Sequence, residues 1–148
     1  MKKTIALILI LLASPAAHAG HFNDEIAAFF DLFEAGKVVE AVDRVYSTNP
    51  WISGTSDSVK KVKNQLAGLG KLVGNYVGKE RIGEQNVRDR LVHVTYLALY
   101  ERQPVRMEFQ FYRPKNDWII YGYSFDDKID DELEEAARRV IASGNVTP

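Results

Sequence analysis

Apolar positions along the chain change period twice, dividing it into three zones. From Ile26 to Leu69 they recur roughly every 3.6 residues, between Leu72 and Phe125 they alternate, and beyond Asp130 the helical period returns. In the first zone Ile26, Phe29, Phe30 and Phe33 form one stripe, with Asn23-Asp24 placed to cap it. Gly36 interrupts the pattern, which resumes at Val38, Val42, Val45 and Tyr46, so two helical pieces with a break are expected. Asn49-Pro50 ends the second piece, because a residue preceding proline is pushed out of the α region. Ser56-Asp57 caps a third helix carrying Val59, Val62, Leu66 and Leu69 and closing at Gly70. Its other face, with Lys60, Lys61 and Lys63, reads as solvated.

The alternating zone predicts four strands, residues 72–87, 91–100, 105–113 and 118–125, rich in Val, Ile, Tyr and Phe. The joints Arg88-Asp89-Arg90, Glu101-Arg102-Gln103-Pro104 and Pro114-Lys115-Asn116-Asp117 are too short for crossovers, so the strands form an antiparallel meander. The last zone predicts a helix over 130–143 with Leu133, Ala136, Ala137, Val140 and Ile141 as its stripe and Gly144 as its C-cap. Acids lead and Arg138-Arg139 follow, matching the helix dipole. The fold class is therefore α+β: N-terminal helices on a curved four-stranded antiparallel meander, plus a C-terminal helix.

Strand faces follow from the clean alternation Val105, Met107, Phe109, Phe111 against Arg106, Glu108, Gln110, Tyr112. The apolar set faces the helices, since a one-residue slip would bury charge at every second position. A four-residue loop pairs Tyr100 with Val105 and Tyr96 with Phe109, leaving His93, Thr95, Leu97 and Leu99 outward. Apolar matching then turns Ile119, Tyr121, Tyr123 and Phe125 inward. Leu97, Leu99, Trp118 and Ile120 remain on the outer face, more apolar area than water should meet. Partial cover by the terminal helix is expected, or a homodimer through this face.

The N-terminus adds a compartment. Lys2-Lys3, the apolar run from Ile5 to Leu12 and Ala17-His18-Ala19 describe a secretory signal peptide over residues 1–19, cleaved near Ala19. The chain that remains, residues 20–148, suits one domain. Its net charge moves from −1 to about −3, which argues against a general nucleic-acid binder. The absence of cysteine removes disulfides, a lipid-anchoring thiol and thiolate metal ligands. No second apolar stretch approaches the roughly 20 residues of a membrane span. A periplasmic or secreted protein without a membrane anchor is expected.

Helices followed by a long meander resemble the nuclear transport factor 2-like superfamily, the cystatin-like α+β cone, over residues 22–127. The residues carrying the resemblance are Phe29-Phe30-Asp31-Leu32-Phe33-Glu34-Ala35-Gly36, the third helix, Phe109-Gln110-Phe111-Tyr112 and Trp118-Ile119-Ile120-Tyr121. The terminal helix is an addition to that pattern. The resemblance implies a pocket between helices and sheet and supplies no matched catalytic position.

Chemical candidates are few. On the expected register Glu80 faces inward opposite Ala98, where walls of Tyr76, Tyr96 and Phe109 would raise its pKa. His93 faces outward and reads as a strand histidine with one hydrogen bond. His21, second in the processed chain, could hold Cu(II) or Ni(II) loosely with the Gly20 amine but reads as a flexible terminus. Asp126-Asp127-Lys128-Ile129-Asp130-Asp131-Glu132 lacks the glycine and alternation of a calcium loop and reads as a helix start. No metal and no cofactor is expected. Trp51 belongs at the pocket mouth, as a lid, or in the core. The chain thus reads as an exported domain binding a small apolar ligand or a protein partner, without evident catalysis. Its pocket would be lined by Trp51, Tyr76, Tyr96, Phe109, Tyr121 and Tyr123. The alternative is an isomerase- or hydro-lyase-like enzyme with Glu80 as proton-transfer group.

Overall fold

The structure, a computed structural model, describes residues 21–143. The signal-peptide reading, Ala19, Gly20 and Gly144 lie outside the described residues. Helices α1 (Phe22–Glu34), α2 (Val38–Tyr46) and α3 (Asp57–Val73) precede strands β1 (Tyr76–Val87), β2 (Leu91–Tyr100), β3 (Val105–Tyr112) and β4 (Ile119–Asp126), and α4 (Ile129–Ala142) follows. The strands pair in chain order as one antiparallel meander, an α+β architecture.

Helix α1 starts one turn-position before the Asn23-Asp24 signal. His21 is its N-cap: its imidazole accepts the Asn23 N–H at 3.3 Å, and the Asp24 carboxylate accepts the His21 N–H at 3.2 Å. Gly36, at φ 75°, makes the break between α1 and α2 in the left-handed region that favours glycine. Ser56 caps α3 as expected, accepting the Val59 N–H. The helix runs through Gly70 to Gly74, because Leu69 and Val73, one turn apart, are both buried.

The register differs from expectation in three places, each with a local cause. Ala98 opposes Val105, and Tyr96 opposes Met107, a shift of two that preserves the faces. The end of β2 is held elsewhere: Tyr100 pairs with Tyr76, and the Glu101 and Arg102 N–H groups donate to the Asn75 and Val73 carbonyls. In β1 the pairing from Val87–Leu91 to Gly83–Thr95 runs as expected, but Ile82 is an extra residue. Beyond it Arg81 opposes Tyr96 and Glu80 opposes Leu97, so Glu80 turns outward. In β4 the extra residue is Tyr121: Gly122 opposes Gln110 while Ile120 opposes Phe111. Ile120 is therefore fully buried, and Trp118 packs edge-on against Phe22 at 5.2 Å; neither stays on the outer face as expected.

The core lies between the N-terminal helices and the inner sheet face. Phe29, Phe30, Phe109, Phe111, Met107 and Ile120 are among its fully buried side chains. Phe29 meets Phe109 at 5.1 Å and Tyr123 at 5.5 Å, while Phe30 meets Tyr96 at 4.9 Å. Such tilted and edge-on pairs favour association beyond their area. Asn49, buried after α2, bonds the sheet to this layer: its amide donates to the Ile120 carbonyl at 2.6 Å and its carbonyl accepts the Trp51 N–H.

Helix α4 behaves differently. Ile129 is half-buried, yet every residue from Asp130 to Ala142 is exposed, including Leu133 at 64 %, Val140 at 48 % and Ile141 at 70 %. It does not cover the outer sheet face beyond its first turn.

Candidate functional site

Of the residues expected to line a common pocket, Tyr96, Phe109 and Tyr123 come together, with Tyr76 joined through Phe33 at 5.2 Å. They meet each other and α1 directly, so the space between helices and sheet is occupied by rings. Trp51, at 88 % exposure, neither lids the core nor packs in it, and Tyr121, at 65 %, points outward because it is the extra residue of β4. Glu80 is exposed on the outer face, away from Tyr76, Tyr96 and Phe109 as walls.

Burial raises the phenol of Tyr100 to about 12 and drives that of Tyr123 well above its ordinary value. Both stay neutral, and the Tyr123 hydroxyl has no hydrogen-bond partner among the described residues. At the open end of the sheet the Tyr76 hydroxyl donates to Glu34 at 3.1 Å, and Lys79 pairs with the same carboxylate while lying over the Phe30 ring. The Lys79 bond holds the Glu34 carboxyl below its usual range against the opposing effect of burial, with the Lys79 charge and the Tyr76 hydroxyl helping.

On the outer face the sequence offered His93 alone, but the register assembles a polar chain around it. The Gln110 amide lies 3.2 Å from Nδ1, Nε2 lies 3.1 Å from Glu108 Oε1, and Ser124 Oγ donates to Glu108 Oε2 at 3.1 Å. With the amide donating to Nδ1, Nε2–H donates to Glu108, and no imidazole lone pair is left to abstract a proton. Alternation of Glu108 with Gln110, opposite His93 and beside Ser124, was the signal that could have found this chain; the two-residue shift concealed it.

Next to it lies the root of α4. Arg106, on β3, donates to Asp126 at 2.8 Å and to Glu132 on the first turn of α4. These bonds, Asp126 first, hold the guanidinium above its usual range. Burial acts to raise the Asp126 carboxyl, but Arg106 and the Lys128 N–H outweigh it and hold the group low. A shallow cleft of about 280 Å³ runs under this turn between Ile82, Thr95, Arg106, Glu108 and Ile129.

Two of the larger clefts lie elsewhere. One of about 360 Å³ is mainly apolar, between Leu69, Leu72 and Val73 of α3 and Val105 and Phe125 of the sheet. Another of about 300 Å³ is polar, with Asn23, Glu84, Asn86 and Asp89 around Arg113, whose guanidinium lies over Trp118 at 5.0 Å. Among the described residues no group of three or more His, Cys, Asp or Glu could hold a metal, and no helix is long and apolar enough to cross a membrane.

The fold and these surfaces define an α+β protein with an antiparallel meander, a packed aromatic interior and a terminal helix exposed beyond its first turn. No protein-family model matches the chain, and neither does a curated protein or a solved structure.

Proposed function

We propose that this is an exported, non-enzymatic binding domain of the nuclear transport factor 2-like kind, which docks a protein partner through α4 in the periplasm. The observation that carries the reading is the apolar stripe of α4, which meets solvent along its length while the interior is filled by its own aromatics. A helix of 14 residues is marginal by itself in water, and most helical stability comes from packing an amphipathic face. The charge pattern argues against a lipid surface: α4 carries five acids and two arginines, whereas helices lying on membranes concentrate Lys and Arg. Export is read from the N-terminal sequence pattern, and the family from the order of helices and strands.

Native mass spectrometry of the chain isolated from the periplasm tests this. The wild type is expected to carry a bound protein, and Leu133→Asp with Ile141→Asp to lose it without unfolding, since both side chains are exposed. A wild-type chain that carries neither a second copy nor another protein at any concentration would reject the docking reading.

A small apolar ligand in the Leu69–Phe125 cleft is the second reading, favoured by that cleft's lining. It predicts a bound small mass that survives the α4 substitutions. Proton transfer by Glu80 draws no support from an exposed carboxylate on the outer face.

A further inference from the structure

We infer that the occupant of α4 is α4 of a second copy of this chain, packed antiparallel about a two-fold axis. The inference rests on the docking role proposed above and names the partner. Ile129, Leu133, Ala136 and Val140 are spaced 4, 3 and 4 residues apart, the seam of a two-helix pair. Ala136 lies at its middle, where a small side chain lets two helices approach closely.

Charge selects the direction. Glu132 and Arg139, seven residues apart, lie on the same edge of the seam. Antiparallel helices put like edges together in reversed order, so Glu132 faces Arg139 of the second copy, and symmetry repeats the pair. A parallel pair would instead set Glu132 beside Ala137 and gain no ion pair. Antiparallel dipoles favour the same choice.

The arrangement costs little of what the monomer already has. Arg139 pairs with Glu135 one turn back, but both are exposed, and such pairs contribute little. Glu132 keeps its bond to Arg106, which fixes the root of α4 to the sheet and so sets the angle at which the helix is presented. Two stripes of this length bury less than the roughly 1,200 Å² of a standard interface, so a weak dimer that dissociates on dilution is expected.

Sedimentation of the full processed chain across the micromolar range is the first measurement, with circular dichroism to confirm that each variant stays folded. A monomer–dimer equilibrium is expected, weakened at least about tenfold by Leu133→Asp. Arg139→Glu should weaken it, and adding Glu132→Arg should restore it in part, because the swapped charges again face each other while Arg106 loses its acceptor on α4. The chain contains no cysteine, so single cysteines report cleanly. A mixture of Ile129→Cys and Val140→Cys chains should cross-link to each other faster than either links to itself. Preferred 140–140 links would overturn the antiparallel pairing. A monomer at every concentration that still binds another protein through α4 would overturn the second-copy inference and leave the docking reading intact. A dimer indifferent to Leu133→Asp and to the charge swap would overturn both.

Discussion

The two faces of the meander use the same strand residues in opposite ways. Inside, Val92, Val94, Ala98, Met107, Phe109 and Phe111 have essentially no exposure, and Phe109 and Phe111 meet rings of α1. Outside, His93, Glu108 and Gln110 bond one another, Arg106 bonds Asp126, and α4 departs after one turn. The inner face holds the fold; much of the outer face and α4 meet solvent. This division explains why Tyr96, Phe109 and Tyr123, expected to surround a ligand, are consumed in packing, while Leu133, Val140 and Ile141 stay unburied on a helix that contributes little to the core.

Substitutions can sharpen that contrast. Phe109→Ala, which removes a ring touching Phe29, Phe30 and Tyr123, should cost about 3–5 kcal/mol in urea unfolding. Asn49→Ala leaves the Ile120 carbonyl unpaired in the buried layer and should cost about 1–3 kcal/mol by the same measurement. Ser56→Ala, losing the α3 cap, should cost about 1 kcal/mol. By contrast Leu133→Asp should change stability by no more than about 0.5 kcal/mol while weakening association at least about tenfold. A large loss of stability in that variant would place α4 in the core and break the comparison.

The smallest effect concerns pH. Asp126 has its pKa lowered in the fold, so the stability it lends the root of α4 is complete above its ordinary value of about 3.9. It is lost as pH falls through the lowered value. Chemical shifts of α4 followed on acidification should show a transition before the aromatic interior opens, and Asp126→Asn should remove it. An unchanged transition in the variant would disconnect Asp126 from α4.

Periodicity made the element order legible, because a stripe such as Ile26-Phe29-Phe30-Phe33 and an alternation such as Val105-Met107-Phe109-Phe111 each express a burial that any packed fold must satisfy. It also made legible the meander, whose joints are too short for another topology, and the inward faces of β2 and β3. The candidate site was far less so. Glu80, Tyr121, Trp118 and Ile120 changed faces because single extra residues at Ile82 and Tyr121 invert everything on one side of them. An extra residue leaves almost no mark on composition or period, since the apolar positions on either side remain alternating. The hydrogen-bond chain through His93 depended on which residue stands opposite which.

For α4, local pattern made the helix and its amphipathic face readable from residues 130–143 alone. Whether that face would fold back on the sheet depended on where β4 ended and how Arg106 anchored the first turn. Helix formation is settled within a few residues by backbone bonds and stripe spacing. The direction a helix takes and what it meets are settled by contacts between segments distant in the chain, which no local period encodes.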